Sequence, residues 1–202
     1  MSRRPRGETR RAILATAQRL MQARGFNGFS YHHIAEALGV RTAAVHYHFP
    51  AKADLGLAVL ARVREDFGWW CERQRSRGAD ASARLEAFFE LDGRYVAADR
   101  VCPLGVVGVE RTGLPPAMCR EADALLQDVL GFFIETLEAG LADGSIPHVD
   151  DVADTAHQIL AATQGALQLA RLRGPEAYEG VLRALRQGLG MKRGEGLERL
   201  VG

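Results

Sequence analysis

Residues 30–49 read SYHHIAEALGVRTAAVHYHF, and this stretch decides the fold class that we expect. Ser30 is a favourable N-cap for a short helix, and the apolar residues that follow it repeat at the helical period. Those residues are Ile34, Ala35 and Leu38. Gly39 then ends the pattern before a second short helix at about residues 42–48. Two short helices joined by a glycine-containing turn predict a helix-turn-helix, and a plain helical hairpin remains the alternative.

The second predicted helix would present a polar, small-residue surface. Val45 is its apolar inward residue, so the other side chains point away from the first helix. They carry hydrogen-bond donors or small apolar groups, which are what base edges and phosphate oxygens require. The candidate DNA contacts on this helix are Arg41, Thr42, Ala43, Ala44, His46, Tyr47 and His48.

The run VHYHFPAKADL at residues 45–55, after IAEALGV at residues 34–40, resembles the N-terminal domain of the TetR family of bacterial transcriptional regulators. The resemblance covers about residues 8–60 and includes the first helix, the turn glycine and a Tyr-His-Phe-x-x-Lys run in register. The rest of the chain resembles the family only in architecture, as a helical ligand-binding and dimerising body. The resemblance implies a double-stranded DNA operator as the partner.

The resemblance also assigns roles to individual residues. Tyr47 and Lys52 match positions that hold operator phosphates, and His48 matches a position at the same surface. The recognition-helix positions are matched by Thr42, Ala43, Ala44 and His46. The start of the preceding helix, which touches the DNA backbone or a neighbouring base, is matched by Ser30, Tyr31 and His32.

Three positions depart from the family pattern. Arg41 stands where a capping residue is usual, so either Thr42 caps the second helix or Arg41 reaches a phosphate. His33 stands where a carboxylate often completes the capping box, which predicts a less well capped helix. Ala44 stands where threonine is common, which removes a hydroxyl contact and leaves the sequence preference open.

The charge distribution agrees with a nucleic-acid-binding end. The whole chain of 202 residues has 26 Lys and Arg against 25 Asp and Glu, a net charge of +1. Residues 1–52 hold nine of the cations and only two acids, so this part is +7 and the remainder is −6. Such asymmetry is expected for a polyanion-binding module joined to another domain. The basic arm at residues 2–6 would lie along the DNA backbone or minor groove, or would be a solvated tail.

The remaining sequence repeats at the helical period almost throughout, which predicts an all-α protein. We expect an N-terminal three-helix helix-turn-helix domain, joined by a long helix to a helical body. The expected boundaries are 1–52 for the DNA-binding domain with its basic arm, 53–190 for the effector-binding and dimerisation domain, and 191–202 for a flexible tail. No apolar stretch approaches the length of a membrane helix, and no apolar signal-peptide core follows the basic N-terminus. Three widely spaced cysteines favour a reducing cytoplasm.

The last two long helices are the predicted homodimer interface. They carry small residues beside larger apolar ones, which would suit a four-helix bundle of two chains, as the resemblance implies. The alternative is a purely intramolecular core. The residues in question are Ala156, Ile159, Ala162, Gly165, Ala166, Leu167, Val181 and Leu185.

Cys102 is the candidate sensor. Pro103 favours the first helical position, so Cys102 lies at or beside an N-cap, where backbone N–H groups, the helix dipole and nearby Arg100 favour thiolate. TetR-family regulators that answer electrophiles or small unsaturated acids have a similar cysteine followed by a later glutamate, here Glu110. The alternative is an inert buried cysteine. Aromatic residues would then line a pocket for a small, mostly apolar effector: Phe88, Phe89, Tyr95, Phe132 and Phe133.

These features predict a repressor released by a small ligand or by cysteine modification, with a transcriptional activator of the same fold as the alternative. A cysteine-dependent enzyme would need His148 or His157 as base, and neither lies in a recognisable motif. We therefore predict no catalytic site and no cofactor. Four histidines lie within residues 32–48, but no carboxylate or cysteine joins them at ligand spacing, so we predict no metal site.

Overall fold

The computed structural model describes residues 6–191, which contain nine α-helices, one 3-10 turn and no strand. The all-α prediction is confirmed. The helices are α1 (Arg6–Arg24), α2 (Tyr31–Leu38), α3 (Thr42–His48), α4 (Lys52–Ser76), α5 (Ala81–Ala97), α6 (Pro103–Glu110), α7 (Pro116–Asp143), α8 (Val152–Arg173) and α9 (Pro175–Gly188), with the 3-10 turn at Arg111–Gly113. The predicted arm lies outside the described residues except for Arg6, and the predicted tail does so except for Met191.

The start of α2 is capped by an imidazole. Ser30 is the N-cap, and its backbone N–H donates to His33 Nδ1 at 3.1 Å, which completes a capping box. The expectation that His33 leaves this end less well capped is therefore wrong, because a neutral imidazole nitrogen accepts the hydrogen bond that a carboxylate would take. The helix ends at Gly39, whose φ of +65° is the left-handed conformation that favours glycine.

The start of α3 has no side-chain cap. Arg41 occupies the N-cap position with φ −78° and ψ 144°, and its side chain makes no capping hydrogen bond. Thr42 is the first residue of the helix rather than its cap, so that alternative is wrong. The guanidinium of Arg41 is consequently not used at this helix end.

The chain divides into two compact units, and the first contains the helix-turn-helix. It comprises residues 6–70 and 98–128 of the described chain. Its core joins apolar side chains of α1 to α4 with side chains of α6 and the start of α7. The most deeply buried members include Ile13, Ala17, Ile34, Val45, Leu55, Leu60 and Met118. This shared core fixes α2 and α3 relative to the rest of the unit.

The second unit comprises residues 71–97 and 129–191 of the described chain, with α5, the C-terminal part of α7, α8 and α9. Asp151 caps α8, because its Oδ1 accepts a hydrogen bond from the Asp154 amide at 2.8 Å. Gly140 allows Ile146 to pack against α7, since a Cβ at residue 140 would lie 2.6 Å from Ile146 Cγ1. The largest fully buried side chains of this unit are Leu85, Phe89, Phe133, Leu137, Ile146 and Ile159.

These compact units differ from the division that we expect at residue 52. Residues 98–128 pack with the helix-turn-helix although they lie far from it in sequence. The boundary at residue 52 is a functional prediction, whereas the compact units follow apolar packing. Within residues 6–191, no helix is both long and apolar enough to cross a membrane.

Candidate nucleic-acid interface and effector region

Most candidate DNA contacts on α3 have side chains that are at least partly exposed. Tyr47 is the most prominent, with 64% of its surface exposed, although it is a large aromatic residue. Val45 is fully buried and holds the helix against α2, as its apolar character predicts. The exposed residues are Arg41, Ala43, His46 and Tyr47, and the half-buried ones are Thr42, Ala44 and His48. Ser30 and His32, at the start of α2, are also exposed.

Tyr31 does not share this exposure. Only 7% of its surface is accessible, and its hydroxyl donates to the Phe49 carbonyl at 2.8 Å. Burial raises the pKa of Tyr31 to about 12, and Asp54 adds to the rise. The His46 ring packs against Tyr31 with 4.5 Å between ring centroids. The Tyr31 hydroxyl therefore ties the start of α2 to the end of α3. Contact between Tyr31 and DNA stays a prediction.

Lys52, predicted to hold a phosphate, makes contacts inside the first unit. Its Nζ donates to the Phe29 carbonyl at 2.5 Å and lies 4.7 and 4.6 Å from the ring centroids of Phe26 and Phe29. Burial lowers the pKa of the Lys52 ammonium, and the negative charge of Glu110 opposes that shift. Lys52 is thus an internal contact of the unit, and its role at a phosphate stays a prediction.

Arg10 is a basic residue whose position the sequence did not indicate. Its guanidinium carbon lies 5.0 Å from the centroid of the Phe49 ring, at the residue that follows α3. Arg10 itself is exposed. A cation on α1 therefore lies beside the end of the recognition helix, and only the charge asymmetry of residues 1–52 gave a signal for it.

Cys102 occupies the predicted position at the start of a helix. It is the N-cap of α6, Pro103 is the next residue, and the thiol makes no capping hydrogen bond. The side chain is half-buried. None of the three cysteines forms a disulfide.

Glu110, at the opposite end of α6, contacts the connection between α1 and α2. Its Oε2 accepts hydrogen bonds from the Phe26 amide at 2.9 Å and the Asn27 amide at 3.2 Å. The Asn27 side-chain amide also donates to Oε2 at 3.4 Å. The sequence indicated Glu110 only through the family resemblance and gave no sign of these contacts, because 83 or 84 residues separate the partners.

The aromatic effector candidates lie in the second unit, whereas Cys102 lies in the first. Phe88 packs against Phe133 at 4.7 Å and Phe132 at 5.9 Å between centroids. Phe88, Phe89 and Phe133 are all buried, and Tyr95 is half-buried. These rings therefore contribute to the core of the unit, and their role in lining a pocket stays a prediction.

Asp92 is a buried carboxyl group beside this aromatic core. It is 3% exposed, and its Oδ2 lies 3.5 Å from the Tyr178 hydroxyl, which donates to the Phe89 carbonyl at 2.9 Å. Burial raises the pKa of Asp92 to about 7, although the Tyr178 contact opposes the shift. No ion pair within residues 6–191 involves this side chain. Asp92 is consequently a buried carboxyl group that has a hydroxyl rather than a cation beside it.

The outer face of α8 and α9 carries an open groove of about 610 Å³. It is lined by apolar and small side chains from both helices, by His148 and by acidic residues. The apolar and small lining residues are Ile159, Ala162, Val181, Ala184, Leu185, Gly188 and Leu189, and the acidic ones are Asp150, Asp151 and Asp154. Farther along α8, Leu169 and Leu172 are 44% and 79% exposed. Of the eight residues predicted at the dimer interface, four line this groove: Ile159, Ala162, Val181 and Leu185. The interface itself stays a prediction.

Two family models match this chain and together cover most of it. The model for bacterial regulatory proteins of the tetR family matches residues 13–59, which contain α2 and α3. The model for the tetracyclin repressor-like C-terminal domain matches residues 81–185. The chain belongs to the TetR family. It is a DNA-binding transcriptional regulator with an N-terminal helix-turn-helix and a C-terminal helical domain.

Solved structures of bacterial transcriptional regulators share this fold over most of the chain. A regulator from Agrobacterium tumefaciens is 23% identical, with a TM-score of 0.86 over 92% of this chain and 99% of its own. A regulator from Legionella pneumophila is 28% identical, with a TM-score of 0.81 over 94% of this chain and 100% of its own. A regulator from Saccharomonospora viridis, solved with choline, is 26% identical, with a TM-score of 0.74 over 90% and 95% of the two chains. Comparison with curated protein sequences gave no match.

Proposed function

We propose that this TetR-family regulator is a homodimeric repressor that leaves its operator when a small effector binds or when Cys102 is modified. Its DNA contacts would be the residues of α3 with accessible side chains and those that flank the start of α2. Tyr47, with its large exposed ring, would be the main contact to the DNA phosphates. The proposed set is Ser30, His32, Arg41, Thr42, Ala43, Ala44, His46, Tyr47, His48 and Lys52. Since DNA is the target, we place the protein in the cytoplasm, without catalytic activity.

The outer face of α8 and α9 supports a homodimer. Of the predicted interface residues, Ala156, Ile159, Ala166 and Leu167 are buried within the chain, whereas Ala162, Gly165, Val181 and Leu185 keep accessible surface. Leu169 and Leu172 extend this apolar strip along α8. A self-complementary patch of this kind suits a two-fold interface.

The charges on α8 favour one orientation of the second copy. Asp150, Asp151 and Asp154 stand at the start of the helix, and Arg171 and Arg173 lie in its last turn. An antiparallel partner would place the acidic end of one α8 near the basic end of the other. A parallel partner would instead bring like charges together, which is unfavourable.

The release mechanism rests on one observation, the position of α6. This eight-residue helix has Cys102 as its N-cap and ends at Glu110, which bonds to the connection between α1 and α2. Eight helical residues span about 12 Å, so a group added to Cys102 acts on a short, stiff element. A shift of α6 would therefore reach the DNA-binding helices directly.

An effector site in the helical body is the second route to release. The S. viridis regulator was solved with choline, so a relative that is 26% identical binds a small molecule. In this chain, we propose that Phe88, Phe89, Tyr95 and Phe133 supply apolar lining when an effector enters the second unit. Such entry would require rearrangement of rings that now pack together.

The decisive experiment is DNA release by a thiol reagent. A duplex selected by this protein from a random library would be followed by fluorescence anisotropy, before and after N-ethylmaleimide treatment. We expect the reagent to weaken binding by wild type and by Cys119→Ser at least about tenfold, and to leave Cys102→Ser unaffected. Cys119 is the matched control, because it is also half-buried and lies in the same unit.

Other outcomes separate the alternatives. Equal release of wild type and Cys102→Ser would make Cys102 structural and leave the effector route. A protein that selects no duplex even at low salt would contradict DNA binding itself. Transcription from a reporter that rises when the protein binds upstream would identify an activator.

A further inference from the structure

The connection between α1 and α2 is held from one side by a carboxylate. Glu110 accepts hydrogen bonds from the backbone amides of Phe26 and Asn27. Gly25 makes room for it, because a Cβ at this residue would lie 2.2 Å from Glu110 Oε1. The φ of Gly25 is +80°, which also favours glycine. Glycine at residue 25 thus suits both the left-handed backbone and the nearby carboxylate.

The same connection is held from the other side by an ammonium group. Lys52, the first residue of α4, donates to the Phe29 carbonyl and lies over the rings of Phe26 and Phe29. The two contacts are complementary, because the Glu110 carboxylate accepts hydrogen bonds from backbone N–H groups and the Lys52 ammonium donates one to a backbone carbonyl. The negative charge of Glu110 also favours the charged form of Lys52.

The held segment leads directly into the DNA-binding helices. Ser30 ends the connection and caps α2, and α2 packs against α3 through Ile34, Ala35 and Val45. Any change in the path of residues 25–30 therefore changes the start of α2. Such a change would also alter the placement of α3 on DNA, because α3 packs against α2.

We propose that Glu110 and Lys52 form a two-sided clamp on residues 25–30, and that this clamp sets the operator affinity of the regulator. Both are positioning residues, and Lys52 acts through the backbone even where it also meets a phosphate. This inference rests on the proposed function only for its DNA readout. The clamp itself is a property of the protein without DNA.

The clamp is tested first without DNA, by amide hydrogen exchange of the full-length protein. Glu110→Gln keeps the length of the side chain and removes its charge, whereas Glu110→Asp keeps the charge and shortens the reach. We expect both to speed exchange of the Phe26 and Asn27 amides about tenfold, because charge-assisted hydrogen bonds are lost or lengthened. Arg111→Gln is the matched control, since it breaks the adjacent Arg111–Asp123 pair and leaves the Glu110 carboxylate in place. Unchanged exchange in both Glu110 variants would overturn the clamp.

Lys52→Met separates the two roles of the lysine. Methionine can still pack against the rings but cannot donate to the Phe29 carbonyl. If Lys52 clamps the connection, exchange of residues 26–30 rises several-fold in Lys52→Met. If Lys52 serves only as a phosphate ligand, the slope of log affinity against log salt concentration falls by about one in Lys52→Met, and amide exchange stays unchanged. That result would overturn the part of Lys52 in the clamp.

Operator affinity is then measured for the single variants and for the Glu110→Gln/Lys52→Met pair. We expect Glu110→Gln to weaken binding about fivefold to tenfold, and the pair to weaken it by less than the product of the single effects. Faster exchange with unchanged affinity would overturn the link to DNA binding. A wild type that binds no duplex would contradict the proposed function, whereas the exchange results would still decide whether the clamp exists.

Discussion

Replacing Val181 by aspartate is expected to convert the regulator to a monomer and to weaken its binding to a complete operator roughly 100-fold or more. Val181 lies in the groove on the outer face of α8 and α9 and keeps accessible surface in the single chain. In a dimer the new carboxylate would be buried without a partner charge. Each helix-turn-helix would then bind its half-site alone and lose the high effective concentration that the second one provides.

Sedimentation velocity would give the oligomeric state, and anisotropy on complete and half-operator duplexes would give the affinities. The matched control is Gln187→Asp, which places the same carboxylate on an exposed part of α9 that does not line the groove. We expect this control to stay dimeric. A Val181→Asp protein that remains dimeric and binds normally would show that the interface lies elsewhere.

Asp92→Asn is expected to stabilise the folded protein at alkaline pH by about 2–4 kcal/mol. Burial raises the pKa of Asp92 to about 7, whereas the same group in the unfolded chain has its ordinary, lower pKa of 3.8. The folded state therefore binds this proton more tightly than the unfolded state. As pH rises from about 4 to 7, the unfolded chain loses the proton first, and the free energy of unfolding falls. Above pH 7 the loss is complete, and asparagine avoids it.

Urea unfolding at pH 5 and pH 8 would measure this difference. Wild type should lose stability between the two values, and Asp92→Asn should lose much less. Glu90→Gln is the control, because it removes an exposed carboxyl from the same helix. If wild type and Asp92→Asn respond in parallel to pH, Asp92 is compensated by a partner in the folded state.

The sequence predicted those features of the fold that depend on local chemistry. Ser30 and Gly39 each mark a helix end in the structure, because caps and left-handed glycines act over a few residues. The helical period likewise gave the inward residues of α2.

Contacts between residues far apart in sequence were harder to predict. The family resemblance gave positions for Tyr31 and Lys52, but a position does not fix the direction of a side chain, and both turn toward neighbouring backbone carbonyls. The contacts of Glu110 depend on how α6 packs in three dimensions. Asp92 did leave a signal, because it follows Leu85 and Phe88 on the apolar face of α5, where a carboxyl group is costly.

The hydrogen bond that His33 accepts determines which of its ring nitrogens carries a proton. Because Nδ1 accepts the hydrogen bond from the Ser30 amide, the proton of the neutral ring must sit on Nε2. The start of α2 therefore offers an imidazole N–H as well as a satisfied backbone, which a glutamate at this position could not do.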